Sequence, residues 1–178
     1  DNWHIVAAWY DLELNQTFED LSERLIIDWG KSTVSWVQSK DKNILEIRGA
    51  NSIGEFVSYD EIQINYNQLQ NLSKDVITNG TWINALSAVN GIYLIKDTSI
   101  GKLYVGSAYG DNGIYGRWMN YAKNGHGGNV ELKKLNPNNF EFSILEIATK
   151  TASADEVIHR ESRWKEKLGT RKFGLNQN

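Results

Sequence analysis

The sequence has no cysteine, one proline, one methionine and three histidines among its 178 residues. The lack of cysteine excludes disulfides and thiolate metal sites, and three histidines are too few donors for a zinc site. No apolar run approaches the roughly 20 residues that a membrane span requires, and no signal segment opens the chain. These absences predict a cytoplasmic protein without membrane contact. The only methionine is Met119, so we expect further residues upstream of the sequence.

Charged residues are unevenly distributed along the chain. Residues 1–90 carry 6 Lys+Arg against 13 Asp+Glu, a net charge of −7, whereas residues 91–178 carry 13 against 9, a net charge of +4. A cationic half joined to an anionic half favours contact between residues 91–178 and a polyanion. Chance scatter is the alternative, because a net charge of +4 is modest.

Residues 1–90 have the pattern of a small, mainly β domain with short helices. Candidate strands, most of them separated by Gly, Asn, Asp or Ser, are 3–10, 24–29, 34–37, 44–48 and 62–64. Asn65 is placed to cap a helix over 66–77, and Thr81 to cap another over 82–89. Four of the seven tryptophans, interpreted either as core or as a pocket for a planar base, lie here: Trp3, Trp9, Trp29 and Trp36. With no catalytic constellation, this domain is predicted to serve recognition, a protein partner or regulation in cis.

Residues 91–178 alternate differently and predict a second domain. Its strands are expected at 91–97, 102–108 and 140–147, and its helices at 114–125, 130–135 and 154–168. Gly101 suits the turn between the first two strands, and Gly125 suits the end of the first helix. The predicted fold is α+β, a small antiparallel sheet flanked by helices, preceded by the mainly β domain.

Glu161 lies inside the apolar stripe of the last predicted helix. A carboxylate on the core side of a helix is costly unless it is paired or binds a cation. Two interpretations follow: a structural ion pair with Arg117 or Lys165, and a metal-binding carboxylate.

A set of motifs in the second half resembles the GIY-YIG endonuclease domain in order and spacing. The set consists of Gly91-Ile92-Tyr93, Tyr104-Val105-Gly106, Arg117, Tyr121, Glu161 and Asn176. The resemblance covers residues 91–178, with Val105 in place of the isoleucine of the name motif. Segments 125–135 and 169–178 further resemble a bacterial branch whose domain follows an N-terminal region.

The resemblance implies a function and a cofactor. It implies an endonuclease, of restriction or defence type, that hydrolyses DNA phosphodiester bonds with Mg²⁺ or Mn²⁺. The alternative is a non-cleaving DNA-binding or regulatory module that retains the fold. The choice between DNA and RNA, the sequence preference and the oligomeric state have no recognisable signal in the sequence.

The resemblance also implies roles for individual residues. Tyr93 and Tyr104 would share one site and position and deprotonate the attacking water, with Tyr93 slightly favoured as the base. An ordinary phenol has a pKa near ~10, so such a base needs a cation nearby, either Lys102, Arg117 or the metal. Arg117 would hold the phosphate and Glu161 the metal. Tyr121 would complete the cluster, and Asn176 would orient a loop or contact the phosphate.

Seven further side chains are candidates for contact with the nucleic acid. They are Lys102, Lys123, His126, Lys133, Lys134, Arg171 and Lys172. Each of the cations has a plain alternative as a solvated surface charge, and His126 as a cap for the helix that follows.

Overall fold

The computed structural model describes residues 13, 16–22, 24–31 and 39–177. The chain divides into two compact units, Asp1–Ala50 and Asn51–Asn178. In the first unit, a 3₁₀ helix at Gln16–Leu21 precedes strands β1 (Leu25–Ile27) and β2 (Ile44–Ile47), which pair in antiparallel fashion. Arg24 closes this pair by donating to the backbone carbonyls of Asp20 and Arg48. The predicted strands 3–10 and 34–37, with their three tryptophans, lie outside the described residues.

The second unit is built on a four-stranded antiparallel sheet in the order β3-β6-β4-β5. Its strands are β3 (Gln63–Asn65), β4 (Asn90–Asp97), β5 (Leu103–Ala108) and β6 (Phe140–Ala148). The tight β4–β5 turn closes with a hydrogen bond from the Gly101 N–H to the Asp97 carbonyl, and Gly101 has a φ of 68°. The predicted α+β class is confirmed, and β5 is an edge strand.

Helices cover both faces of this sheet because β4 and β5 alternate apolar residues on both sides. Helices α1 (Tyr66–Lys74), α2 (Gly80–Ala88) and α3 (Gly113–Asn124) belong to the larger core, with Tyr93 and Tyr104. Helix α4 (Ala154–Lys167) packs through Val157 against Ile92 and Val105 on the other face. None of the helices in the described part of the chain is long and apolar enough to cross a membrane.

Local sequence signals define two of the helix ends. Asn65 caps α1 through a reciprocal hydrogen-bond pair with Gln68, and Gly125 ends α3 with a φ of 79°. The prediction that Thr81 caps the next helix was wrong, because α2 begins at Gly80 after Asn79. The predicted helix over 130–135 is a short 3₁₀ helix at Leu132–Lys134, and Asn129 rather than His126 accepts from its Leu132 N–H.

The predicted domain boundary at 90/91 passes through the second compact unit, whose packing begins at Asn51. Strand β3 pairs with β6, and the fully buried Leu69, Leu72 and Leu86 of α1 and α2 share one core with Trp118. The difference has a physical reason: periodicity marks a helix but does not show which core its apolar face joins.

Candidate active site

The two motif tyrosines lie on the same face of the sheet. Tyr93 pairs with Gly106, and Tyr104 pairs with Ile95, which is two residues from Tyr93. Paired residues of antiparallel strands share a face, as do residues two apart on one strand. A Cβ atom on Gly106 would lie 2.4 Å from Cζ and Oη of Tyr93. The glycine of the second motif therefore makes room for the tyrosine ring of the first.

Arg117 and Tyr121 on α3 complete a cluster with Tyr93. The two residues stand one turn apart, so their side chains emerge on the same side of the helix. The Tyr93 and Tyr121 hydroxyls are 2.9 Å apart. Arg117 donates from Nε to the Tyr93 hydroxyl at 3.1 Å and from Nη2 to the Tyr121 hydroxyl at 3.4 Å. Two phenols from the core thus hold one guanidinium in place.

The three tyrosines differ in how completely they are buried. Tyr93 and Tyr121 are 0 % exposed, whereas Tyr104 is 7 % exposed and lines the cleft described below. Burial raises the pKa of both Tyr93 and Tyr121 well above the usual range, and the positive charge of Arg117 offsets only part of this. The two buried phenols therefore stay protonated at neutral pH.

A cleft of about 460 Å³ runs past β5, the edge strand of the sheet. Its lining includes Tyr104 and Arg117 from one side of the sheet and Ser107 and Glu161 from the other, with Tyr109 at its rim. Ser107 alternates with Gly106 and so faces α4, while Tyr104 faces α3. The cleft thus brings a phenol, a guanidinium and a carboxylate to one space.

Both carboxylate oxygens of Glu161 have partners. Lys165, one turn along α4, lies 2.8 Å from Oε1, and the Ser107 hydroxyl donates to Oε2 at 2.5 Å. The ion pair expected from the apolar stripe therefore exists and is made with Lys165. Its two side chains are only 5 % (Lys165) and 13 % (Glu161) exposed, so either charge alone would be costly.

The carboxylate remains a suitable ligand for a hard cation. Within the described residues there is no group of three or more His, Cys, Asp or Glu side chains that could hold a metal ion. Mg²⁺ often takes only one or two protein carboxylates and completes its octahedron with water and substrate phosphates. Glu161, as a single carboxylate lining the cleft, fits that kind of site.

Asn176 holds the edge strand from outside. Its side-chain carbonyl accepts from the Val105 N–H at 2.9 Å, and its amide donates to the Val105 carbonyl at 2.8 Å. The preceding Leu175 N–H bonds the Leu103 carbonyl at 2.9 Å. Of the two roles predicted for Asn176, orientation and phosphate contact, this geometry serves orientation.

Comparison with known proteins assigns this arrangement to a family. Residues 89–176 match the family model of the GIY-YIG catalytic domain. The chain belongs to the GIY-YIG family. A point mutant of the catalytic domain of intron endonuclease I-TevI is 32% identical over 51% of this chain and 94% of that chain, with a TM-score of 0.42. The catalytic domain of homing endonuclease I-TevI is 33% identical over 49% and 96%, with a TM-score of 0.40. No curated protein matches the chain.

The GIY-YIG domain has a second cleft, of about 260 Å³, that also contains Tyr104 and Arg117. Its other walls are the loop Gly127, Gly128, Asn129, Val130 and Glu131, together with Gln177. His126 lines neither cleft, and its Nδ1 accepts from the Gly128 N–H at 3.0 Å. This histidine therefore shapes the loop that forms the wall.

The cations predicted to contact nucleic acid lie at the surface of the GIY-YIG domain. Lys102, Lys123, Lys133, Lys134, Arg171 and Lys172 are all exposed, and none lines either cleft. Lys134 pairs with Glu131 at 2.5 Å, and the Lys172 ammonium lies 5.0 Å from the ring centroid of Phe173. They are placed for contacts outside the clefts.

Sequence reasoning missed several residues that line the clefts. Ser107 and Tyr109 belong to no motif of the resemblance, and Glu131 and Gln177 lie in its segments 125–135 and 169–178 without being predicted as site residues. Ser107 had a signal, since alternation along β5 sets it on the face opposite Tyr104. Glu131 and Gln177 had none, because the contact between them spans 46 residues.

Proposed function

We propose that this chain is an endonuclease that hydrolyses phosphodiester bonds of DNA. The observation that carries the proposal is that Tyr104, Arg117 and Glu161 all line the first cleft. Hydrolysis of a phosphodiester requires a positioned water, a positive charge at the phosphate and stabilisation of the leaving oxygen. Membership of the GIY-YIG family, whose matched region is a catalytic domain, supports this choice.

Arg117 is the group that binds the scissile phosphate. A guanidinium has five N–H donors, and the bonds to Tyr93 and Tyr121 use Nε and Nη2. The side chain lines both clefts, so its further donors are available to the non-bridging oxygens. Because the two phenols fix the guanidinium beforehand, little reorganisation is needed as charge develops on the phosphate.

Tyr104 is favoured over Tyr93 as the residue that contacts the attacking water. The sequence slightly favours Tyr93 as the base, but that side chain is 0 % exposed and its hydroxyl is already hydrogen-bonded to Arg117 and Tyr121. Tyr104 lines the cleft together with Arg117, the group proposed to bind the phosphate. The Tyr104 hydroxyl is the proposed hydrogen-bond partner that positions the water as the water oxygen attacks phosphorus.

Glu161 is the proposed ligand for Mg²⁺ or Mn²⁺. A bound divalent cation would supply positive charge beside the leaving 3′ oxygen. Ser107 keeps the Glu161 side chain oriented towards the cleft, and Lys165 neutralises the carboxylate. A restriction or defence role in the cytoplasm is part of this proposal and follows from the family resemblance alone.

One observation favours a second candidate function, a non-cleaving DNA-binding or regulatory module. The Glu161 carboxylate is already paired with the buried ammonium group of Lys165, as expected for a carboxylate that no longer binds a metal. The other members of the site favour the endonuclease. Tyr104 and Arg117 line the cleft, and Arg117 is held there in a cluster with Tyr93 and Tyr121.

Replacement of Glu161 by glutamine tests the endonuclease. Glu161→Gln keeps the shape but removes the anionic oxygen, and we expect plasmid cleavage with Mg²⁺ to fall by ~10²-fold or more, the scale of one lost electrostatic group. Glu166→Gln, an exposed carboxylate on the same helix, is the matched control and should cut like the parent protein. Circular dichroism checks folding of each variant.

The Glu161–Lys165 pair requires a second variant. If Glu161→Gln fails to fold because the buried charge of Lys165 loses its Glu161 partner, Glu161→Gln/Lys165→Met removes both charges and restores folding. A folded variant of either kind that cuts at the parental rate contradicts the assignment of Glu161. A parent protein that binds duplex and never cuts it with Mg²⁺ or Mn²⁺ supports the non-cleaving module.

A further inference from the structure

We propose that the second cleft binds the nucleobase adjacent to the scissile phosphate and that Glu131 recognises an amino group on that base. This inference rests on the proposed endonuclease function. It concerns Glu131, Gln177 and the loop around Gly127–Gly128, which the reaction itself does not use.

The position of the second cleft is set by the residues that the two clefts share. Tyr104 and Arg117 line both of them. A phosphate bound by Arg117 therefore lies where the clefts meet, with Glu161 on one side and Glu131 on the other. In a nucleotide the base is attached to its phosphate through the sugar, so a flanking base is the part of the substrate that reaches the second cleft.

The charge of the walls suits a base rather than another phosphate. Arg117 is the one cation among the described residues that line the second cleft, and Glu131 places a carboxylate there. A carboxylate repels the backbone of a nucleic acid but accepts hydrogen bonds from the amino group of a base. The exposed side chain of Val130 adds an apolar surface that suits the face of a ring.

Glu131 is bound within the chain through one of its two carboxylate oxygens. Gln177 and Lys134 both donate to Oε1. Among the residues that the structure describes, none is bonded to Oε2. Lys134 neutralises part of the charge while Oε2 stays available as an acceptor for a ligand.

The loop that forms the wall is built before any substrate arrives. Gly127 has a φ of 54°, and a Cβ atom there would lie 2.6 Å from Cε1 of Tyr121, so its backbone rests on that ring. Asn124 accepts from the N–H groups of His126 and Gly127, and His126 accepts from Gly128. The wall is thereby packed on Tyr121, the same phenol that bonds Arg117.

The chemistry predicts which bases are accepted. The amino groups of cytosine, adenine and guanine donate hydrogen bonds, and carboxylates are known to accept from cytosine N4, whereas thymine has no amino group. Oε2 of Glu131 therefore favours an amino-bearing base, cytosine, adenine or guanine, over thymine at one of the two nucleotides that flank the break.

Sequencing of cleavage ends tests this specificity. Plasmid DNA is digested with the full chain and Mg²⁺, and the bases on each side of every break are counted. We expect the amino-bearing bases to be enriched over thymine by ~10-fold at one flanking position, the scale of a single base contact. Glu131→Gln, whose amide also donates to thymine O4, should remove most of that enrichment.

A second test of the inference fills the second cleft with a larger side chain. Val130→Phe puts a ring into the space and should lower cleavage by ~10-fold, the scale of one lost base contact, without loss of folding, because Val130 is 62 % exposed. Val76→Phe, the same change at a 56 % exposed valine outside both clefts, should cut like the parent protein. Unchanged base counts in Glu131→Gln, or parental cleavage by Val130→Phe, overturns the inference.

A binding measurement separates this inference from the endonuclease itself. If the parent protein makes no breaks, the proposed function fails, and titration with dCMP and TMP decides the inference alone. Preferential binding of dCMP that is lost in Val130→Phe and Glu131→Gln supports the base site. Equal binding of the two nucleotides, or binding that neither variant changes, overturns it.

Discussion

Tyr93 ends one short motif and Tyr104 begins the other, yet the structure gives the two side chains different surroundings. Tyr93 is closed in by Gly106, Tyr121 and Arg117, whereas Tyr104 lines both clefts. The sequence predicted that the two side chains share a face, because strand alternation is local. It did not predict which of them lines the clefts, since α3 and the edge of the sheet decide that.

The buried phenols predict a dependence of stability on alkaline pH. Their pKa is raised in the folded chain, mainly by burial, while in the unfolded chain they titrate near ~10. Above that pH the unfolded chain therefore loses protons that the folded chain keeps, so the stabilisation is complete below pH ~10 and falls as pH rises.

Tyr93→Phe is the test of this effect. Each phenol that ionises only on unfolding contributes a slope of about 1.4 kcal/mol per pH unit, and removing Tyr93 should remove one such contribution between pH ~10 and the folded pKa. Urea unfolding at a series of pH values measures the slope. Tyr109→Phe, at a 49 % exposed tyrosine, is the control. An unchanged slope in Tyr93→Phe contradicts the burial argument.

At the scale of elements, β5 is the edge strand whose outer side is occupied by Asn176 and Leu175. An amide side chain there imitates a neighbouring strand and satisfies the N–H and carbonyl of Val105. Elements with local signals were predicted well: Asn65 caps α1 and Gly125 ends α3. The contact of Asn176 with Val105 spans 71 residues, so spacing alone left its role open.

Asn176→Ala tests the support of the edge strand. The change removes two hydrogen bonds and leaves a buried N–H and carbonyl without partners, which should lower the free energy of unfolding by roughly 2–4 kcal/mol. Asn138→Ala, at an exposed amide, is the control and should change it little. Urea unfolding followed by circular dichroism measures both. A loss in Asn176→Ala no larger than in the control means that water replaces the amide at β5.

At the scale of the whole molecule, the boundaries of charge and of packing differ. The change from acidic to basic composition falls near residue 90, whereas the division between the two compact units falls between residues Ala50 and Asn51 of the chain. Residues 63–65 pair with residues 141–143, and such long-range pairing has no trace in composition. The family match begins at residue 89, so the segment from 51 to 88 supports the catalytic domain from outside the matched region.

Two truncations decide whether that segment is required. Residues 51–178 keep the whole second core and should unfold in one cooperative thermal transition. Residues 91–178 lose β3, α1 and α2, and with them the buried Leu69, Leu72 and Leu86 that pack in one core with Trp118. Fully burying a leucine stabilises a protein by about 1.5–3 kcal/mol, and whole domains are stable by only about 5–15 kcal/mol, so the shorter fragment should not fold. Differential scanning calorimetry and near-ultraviolet circular dichroism compare the two fragments with the full chain. A cooperative transition in residues 91–178 would show that the boundary predicted at 90/91 was the structural one after all.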